Sequence, residues 1–137
     1  MAAERLRNGK VNLKVFVDTS VFLHLSRHRN ALSPDFISGY LDAPFELLIT
    51  DSVKEELVRF SRGRGKKALF ARLGLKLAEG MRIVKTGSAN GDDSLIAVTA
   101  LEPSCVVYTD DSFLRKRLLA LGVHCLTLTG DGRLAMN

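Results

Sequence analysis

Several features that would point to other classes of protein are scarce or missing in this sequence. It contains two cysteines and no tryptophan. Cys105 and Cys125 lie in separate apolar segments, and neither belongs to a CxxC pair or has histidines at the spacing of zinc ligands. We therefore expect two buried thiols and no zinc site. The alternative is a disulfide between neighbouring strands, which intracellular proteins seldom form.

Long apolar runs are also absent. The longest run falls far short of the roughly 20 residues that a membrane-spanning helix needs. The leader MAAERLRNGKVN is polar and basic and lacks the apolar centre of a secretory signal. We expect a soluble, cytoplasmic protein that has no membrane partner. The 137 residues suffice for one domain, which we place at residues 13–129, between a mobile basic leader at 1–12 and a C-terminal tail at 130–137.

Acidic residues are missing from one long segment. The formal net charge is +5, but seven Lys or Arg residues and no acid fall between Arg59 and Lys76. Such a run is commonly a solvated helix face. The lack of any interleaved acid favours phosphate binding instead, and two glycines let a ligand backbone approach closely. The candidate phosphate contacts are Arg59, Arg62, Arg64, Lys66 and Lys67.

Apolar runs alternate with longer amphipathic stretches, which is typical of strand–helix units around a mainly parallel sheet. The apolar runs predict five strands, at 13–17, 45–49, 81–85, 105–109 and 124–128. The stretches between and after them predict helices at 19–29, 34–41, 52–60, 66–78, 93–101 and 111–121. We therefore predict an α/β fold, with three layers ordered α/β/α around a central, mainly parallel five-stranded sheet.

The first unusual acid is Asp18. It stands between two apolar segments, VFV and TSVFL, where the first predicted strand gives way to the first helix. Aspartate is a common helix cap. A carboxylate so enclosed by apolar residues should, however, be partly desolvated, and it then needs a cation or several hydrogen-bond donors. We interpret Asp18 as a site residue rather than only a cap.

A second acid follows the second predicted strand. Ser52 and Glu55 have the spacing of a capping box that would open the third helix. That gives Glu55 a structural role and leaves Glu56, about 100° further round the helix, free to face the edge of the sheet. Taken alone, Glu56 is more typical of a solvated surface acid.

Two acidic pairs follow the third and fourth predicted strands. In GDDSLIAVTAL, Asp92 or Asn90 can cap an apolar helix, while Asp93 either complements the helix dipole or binds a ligand. In VVYTDDSFL, Asp110 and Asp111 divide a cap role and a ligand role between them. Neither pair is decisive by itself.

Placement connects four of these acids. Asp18, Glu56, Asp93 and Asp111 each follow a different predicted strand, and the loops after parallel strands emerge at one edge of a doubly wound sheet. Converging carboxylates repel one another unless a cation neutralises them. Oxygen ligands without cysteine or clustered histidine favour Mg²⁺ or Mn²⁺ over zinc. The alternative hypothesis is four independent helix caps.

The order and spacing of these motifs resemble the PIN-domain family over most of residues 13–128. VFVDTS resembles its opening strand and first aspartate, VKEEL its second acidic motif, DSLIA its third and TDDSF its last. Each motif has low specificity alone, but four in order form a fairly specific signal. The resemblance implies that the catalytic, metal-binding acids are Asp18, Glu56, Asp93 and Asp111, with Ser20 and Thr109 as polar residues behind them.

The resemblance also implies a function and partners. The expected activity is a ribonuclease that uses Mg²⁺ or Mn²⁺ to hydrolyse single-stranded or looped RNA, contacted by the basic segment. The sequence is similar both to VapC-type toxin nucleases and to archaeal PIN proteins of the ribosomal-RNA-processing type. The RGRGKK stretch and the basic leader favour the latter. The family further implies a homodimer and either an antitoxin or a ribosome-assembly partner.

Two other functional classes compete with this hypothesis. An RNA-binding module would keep the fold without cutting, but it would have no need of all four acids. A phosphatase or phosphorelay domain is disfavoured, because Ser20 stands where the haloacid-dehalogenase pattern wants a second Asp, and no P-loop or GxGxxG is present. We expect the three histidines, His24, His28 and His124, at the surface or in packing roles.

Overall fold

The computed structural model describes residues 12–137, in which helices pack around a central six-stranded sheet. The strands are β1 Leu13–Val17, β2 Phe45–Thr50, β3 Arg82–Val84, β4 Cys105–Tyr108, β5 Cys125–Leu128 and β6 Leu134–Met136. The helices are α1 Thr19–Leu23, α2 Pro34–Leu41, α3 Asp51–Ser61, α4 Lys66–Ala78, α5 Gly91–Leu101 and α6 Ser112–Ala120. No helix in this part of the chain has both the length and the apolarity needed to cross a membrane.

The sheet is wound in both directions from β1. Its order is β3-β2-β1-β4-β5-β6, and the pairings from β3 through β5 are parallel. Runs of Val, Leu and Ile in β1, β2 and β4 suit strands that are covered on both faces. The carboxyl ends of the parallel strands therefore share one edge, and the strand order reverses beside Asp18. The predicted α/β class with a mainly parallel sheet is confirmed.

The number of strands is one more than predicted. β6 comes from the predicted tail at 130–137 and pairs antiparallel with β5, Leu128 opposite Leu134. Gly132, at φ 82°, allows the tight turn between them, and Leu134 is buried. A three-residue strand at a chain end carries too little periodicity to be predicted. Residues 1–11 of the predicted leader lie outside the described residues, and the domain boundaries stay predictions.

The end of α1 and the capping of α3 differ from the predictions. α1 stops at Leu23 instead of 29, and turns follow it until Ala31, whose carbonyl accepts a hydrogen bond of 3.0 Å from the buried Tyr108 hydroxyl. The predicted capping box at the start of α3 is wrong. Thr50 is the N-cap and accepts a hydrogen bond from the amide of Val53, while the Ser52 hydroxyl instead donates to the carbonyl of Ser88.

Helix α4 has the predicted bounds, but three of its four leucines lie outward. Leu69, Leu73 and Leu77 are all exposed, and the buried face is built from small residues: Ala68, Ala71, Gly74 and Ala78. A Cβ added at Gly74 would lie 2.9 Å from Cδ1 of Phe22 in α1. The small residues therefore let α4 approach α1 closely, which larger side chains would prevent.

Both cysteines are free thiols, as predicted. Cys125 is fully buried and Cys105 partly so. Burial raises the pKa of each to about 11, so neither is a reactive thiolate at neutral pH.

Two glycines inside helices provide a test of this packing. Gly74→Ala should lower the free energy of unfolding by roughly 1–3 kcal/mol, because the new methyl group overlaps Phe22. Gly39→Ala in α2, where nothing lies within 4 Å of the added Cβ, should raise it by about 0.5–1 kcal/mol. Chemical denaturation measures both. Equal effects of the two substitutions would contradict the close α1–α4 contact.

Candidate active site

Five acids lie near the carboxyl edge of the central strands. Asp18 follows β1 directly, and Glu56 lies in the second turn of α3 after β2. Asp92 and Asp93 lie in the first turn of α5, and Asp111 is the N-cap of α6 after β4. The strands β2, β1 and β4 lie side by side in the sheet, so their carboxyl ends bring together acids that are distant in sequence.

Asp18 is the most buried of these acids, at 3% exposed. Its Oδ2 accepts hydrogen bonds of 2.7 Å from the hydroxyls of Ser20 and Thr109, the two polar neighbours expected from the sequence. Burial raises its pKa despite these donors, and the charge of Asp111 adds to the effect. Although Asp18 occupies the N-cap position of α1, its side chain makes no capping hydrogen bond.

Glu56 faces the same edge and is half-buried. Its Oε1 accepts a hydrogen bond of 3.1 Å from the hydroxyl of Thr19. Desolvation raises the pKa of Glu56, and the charges of Asp18 and Asp92 raise it further. A Cβ at Gly91 would lie only 1.9 Å from Glu56 Oε1, so only glycine at this position leaves room for the carboxylate.

The structure separates the adjacent acids at the start of α5 in a way that the sequence did not predict. Asp92 is partly buried, and burial raises its pKa, followed by the charges of Asp18 and Asp111. Asp93, the residue chosen from the sequence, is exposed and instead contacts Arg117 at 3.4 Å. The structure thus brings Asp92, not Asp93, electrostatically together with the other acids.

Asp93 has a structural partner that the sequence signalled. The Asp93 amide donates to Oδ1 of Asn90 at 2.9 Å, and Nδ2 of Asn90 donates back to Asp93 Oδ2 at 3.1 Å. This reciprocal pair at the helix N-terminus has the spacing of a capping box, but Asp93 accepts from the side-chain amide of Asn90 and not from its backbone N–H. The pattern N-x-x-D was visible in NGDD and favours Asp93 as the capping partner and Asp92 as the freer acid.

Asp111 combines the two roles that were alternatives in the sequence. Its Oδ1 accepts hydrogen bonds from the amides of Phe113 and Leu114, at 2.9 and 3.2 Å, and so caps α6. Within residues 12–137 its Oδ2 makes no hydrogen bond, and its charge acts on both Asp18 and Asp92. Capping therefore uses one oxygen and leaves the other available.

Asp110 and His24 form a pair that sequence reasoning missed. Nδ1 of His24 lies 3.0 Å from Oδ2 of Asp110, and the Asp110 amide donates to Ser20 Oγ at 3.0 Å. A lone histidine gives no signal of such a partner, because the two residues are far apart in the chain. His24 had been expected in a surface or packing role.

Part of the basic segment lies beside Glu56. Arg59 and Arg62 share with Glu56 the lining of a cleft of about 400 Å³ on the side of β2. Lys67 lies over the ring of Phe60, with Nζ 3.9 Å from the ring centroid. Arg72 donates hydrogen bonds to the backbone carbonyls of Ser61 and Gly63, where α3 ends. The exposed side chains of Arg64 and Lys66 extend the positive charge.

Asp51 fixes the loop that leads into α5, the helix of Asp92. Its carboxylate accepts hydrogen bonds from the amide and hydroxyl of Thr86 and from the amides of Gly87 and Ser52. Desolvation is the largest single influence and raises the pKa of Asp51, but these hydrogen bonds together outweigh it and lower the pKa. The start of α3 is thereby attached to the segment before α5.

The donor set fits a hard divalent cation in its chemistry. Every candidate ligand is a carboxylate oxygen, and these acids raise one another's pKa, as like charges do when no cation separates them. Within residues 12–137, however, no group of three or more Asp, Glu, His or Cys side chains is arranged so that it could hold a metal ion. Mg²⁺ commonly takes one or two carboxylates and completes its shell with water and substrate phosphate.

Comparison with known protein families decides the family. Residues 40–131 match the model of the PIN-like domain. This chain belongs to the PIN-like domain family. It is 36% identical over 135 residues to ribonuclease VapC9 of Archaeoglobus fulgidus. The aligned region covers 97% of this chain and 95% of that protein.

Two further relatives extend the comparison of this PIN-like domain. Ribonuclease VapC4 of Methanocaldococcus jannaschii is 26% identical over 110 residues, covering 77% of this chain and 82% of that protein. Among solved structures, the PIN domain endonuclease Utp24 superimposes with a TM-score of 0.70 at 20% identity, over 88% of this chain and 90% of that chain. This last similarity establishes the fold.

The burial of Asp18 should make the free energy of unfolding of this PIN-like domain depend on pH. Because the folded pKa of Asp18 lies above the unfolded one, the folded state binds more protons between the two values. The free energy of unfolding should therefore grow as pH falls through that window, and the ionised form should weaken the fold at pH 7. Asp18→Asn should raise the melting temperature at pH 7 in EDTA, by about 2 °C or more.

The control for this melting experiment is Asp35→Asn, which removes an exposed acid from the first turn of α2. That variant should leave the melting temperature unchanged or slightly lower, because a charge there complements the helix dipole. A lower melting temperature for Asp18→Asn in EDTA would mean that the ionised carboxylate stabilises the fold through Ser20 and Thr109.

Proposed function

We propose that this protein is a divalent-metal-dependent endoribonuclease that hydrolyses phosphodiester bonds in single-stranded or looped RNA. The observation that carries the proposal is the set of mutually repelling carboxylates around the buried Asp18, beside a cleft lined by arginines. The names of the two curated relatives, both ribonucleases, support it. Unpaired RNA suits such an edge, because its backbone bends most easily into a groove.

The proposed site acids are Asp18, Glu56, Asp92 and Asp111. Asp92 replaces Asp93 in this set because its pKa responds to Asp18 and Asp111, whereas Asp93 is engaged by Asn90 and Arg117. Ser20, Thr109 and Thr19 act as positioning residues, since their hydroxyls hold the carboxylates of Asp18 and Glu56.

These carboxylates would hold Mg²⁺ or Mn²⁺, with Asp18 as the central ligand. When bound, the ion would supply Lewis-acid activation of water and stabilisation of the charge that develops on the phosphate. Mg²⁺ commonly takes one or two carboxylates and completes its shell with water and substrate phosphate, and the RNA phosphate would do so here.

The reaction needs no covalent intermediate on the protein. The hydroxyls of Ser20 and Thr109 serve to donate hydrogen bonds to the Asp18 carboxylate, and we assign the role of nucleophile to water. Water therefore attacks phosphorus, the bond to O3′ breaks, and the leaving oxygen takes a proton. The products are a 5′-phosphate and a 3′-hydroxyl.

The proposal leaves two biological settings, each with its own support. The names of both curated relatives favour a VapC-type toxin, which would bind an antitoxin. The basic RGRGKK stretch, exposed between α3 and α4, favours a processing enzyme for ribosomal RNA. Both settings require the same hydrolytic site and are compatible with a homodimer.

The choice between adjacent acids gives the sharpest test of the catalytic site. Asp92→Asn should lower the Mn²⁺-dependent cleavage of a labelled single-stranded RNA by about two orders of magnitude or more, as Asp18→Asn should. Asp93→Asn, the matched control, should stay within about threefold of wild type. Binding of the same RNA in EDTA should survive all three substitutions, because they remove negative charge. Wild-type rates for Asp18→Asn would assign the activity to a contaminant, and a loss confined to Asp93→Asn would reverse the assignment.

The basic segment should act on binding alone. Replacing Arg62, Arg64, Lys66 and Lys67 together by Ala should weaken RNA affinity for every sequence and flatten its salt dependence, by about 0.7 in log–log slope for each lost phosphate contact. The control removes four exposed positive charges outside that segment: Arg29, Lys85, Lys116 and Arg133. Fluorescence anisotropy over a range of KCl concentrations measures both. An equal loss in the two variants would mean that only net charge matters.

A further inference from the structure

We propose that a second cleft, on the side of the acids away from Arg59 and Arg62, binds a phosphate group of the same RNA strand. The cleft has a volume of about 250 Å³ and is lined by Arg27, Arg115, His24 and His28, with Asp110 and the backbone after β5. This inference rests on the proposed function and extends it, because it assigns the path that RNA takes beyond the cut.

The position of the cleft follows from the order of the sheet. The Arg59 cleft lies on α3, which follows β2, and β2 flanks β1 on one side. The second cleft is built from residues that follow β4 and β5, on the other side of β1, together with the turns after α1 and the first turns of α6. The acids lie between two clefts that each contain arginines.

The second cleft has an excess of positive charge. Within residues 12–137, neither Arg27 nor Arg115 has an ion-pair partner. Asp110 is the single carboxylate among the residues that line the cleft, and it is hydrogen-bonded to His24 at 3.0 Å. Two permanently charged guanidinium groups beside an imidazole match a phosphate in charge and in hydrogen-bond donors.

The cleft is also continuous with the catalytic edge. The Asp110 amide donates to Ser20 Oγ at 3.0 Å, and Ser20 Oγ donates to Oδ2 of Asp18 at 2.7 Å. A single serine therefore lies between the buried acid and the wall of the cleft. The volume of about 250 Å³ is many times the roughly 10–15 Å³ that a cavity needs to hold one water, so the cleft has room for a phosphate group.

The charges of the edge explain why such a subsite is useful. Clustered carboxylates repel an RNA backbone. Cations on only one side of the acids would bind the strand there but would not attract it to the other side. Guanidinium groups on both sides would fix two phosphates and place the linkage between them over Asp18.

The test compares two double variants that each remove two positive charges. Arg27→Ala with Arg115→Ala alters the cleft. Arg29→Ala with Lys116→Ala removes cations that are neighbours in sequence but do not line it. Binding of a fluorescein-labelled single-stranded RNA decamer is measured in EDTA, where no cutting occurs. We expect the cleft variant to lose at least about tenfold in affinity, and the control less than about threefold.

A second readout uses a smaller probe. Titration with cytidine 5′-monophosphate should shift the amide NMR signals of residues 127–130 in the wild type and in the Arg29 and Lys116 control, but not in the cleft variant. Both variants must melt like the wild type, which their exposed or half-exposed positions allow.

The outcomes distinguish this inference from the function on which it rests. Equal losses of RNA affinity in the two double variants would overturn the subsite and leave the ribonuclease proposal standing. Unchanged affinity of the cleft variant, together with lost affinity on removal of Arg62, Arg64, Lys66 and Lys67, would do the same. Failure of the wild-type protein to bind the decamer would overturn both proposals.

Discussion

The carboxyl edge of this protein depends on how the buried charge of Asp18 is compensated. A carboxylate that is 3% exposed loses most of its hydration. Two hydroxyl donors, from Ser20 and Thr109, replace part of that hydration but do not cancel the rise in its pKa. The remaining demand for positive charge favours a cation at this point. Burial raises the pKa of Glu56 and of Asp92 as well, and the charge of Asp18 adds to both effects.

A network of short polar contacts fixes the elements around this charge. Ser20 joins the first turn of α1 to the amide of Asp110, and Thr109 accepts a hydrogen bond from the amide of Asp111. On the other side, Thr50 contacts the hydroxyl of Ser94, which joins the start of α3 to α5. Hydroxyls suit this role because each can donate to a carboxylate and accept from an amide at once. The site acids are thereby held by backbone and hydroxyl groups rather than by cations of the protein itself.

The separation of charge is the second organising feature. Arginines on both sides of β1 flank an edge whose own side chains are acidic. Cations within the acid cluster would form ion pairs and compete with a metal for the carboxylates. Cations a few ångströms away leave the acids available and still attract a polyanion. This arrangement is compatible with a nuclease and would serve an RNA-binding module without metal less well.

The sequence by itself determined the elements and their class. The bounds of α2, α4 and β1 agree with the structure, because apolar periodicity and the breaks at Pro34 and Gly80 are local properties of the chain. The sequence also predicted that Asp18 is desolvated, which its burial confirms, since an acid enclosed by apolar residues is conspicuous without any tertiary information. It could not give β6, whose three residues are strand only because the edge of β5 is there to pair with.

Only the tertiary structure decided which member of each acidic pair faces the others. Asp92 and Asp93 are neighbours of the same type, and a rotation of about 100° round α5 separates the partly buried Asp92 from the exposed Asp93. Gly91 of α5 leaves room for the Glu56 carboxylate of α3, whereas the hydrogen bonds of Asn90 hold Asp93 within the first turn of α5. The pairing of His24 with Asp110 and the outward face of the α4 leucines were decided in the same way. These two features depend on packing contacts between segments that are distant in sequence, and no local pattern encodes such contacts, whereas the N-x-x-D pattern of Asn90 and Asp93 is local.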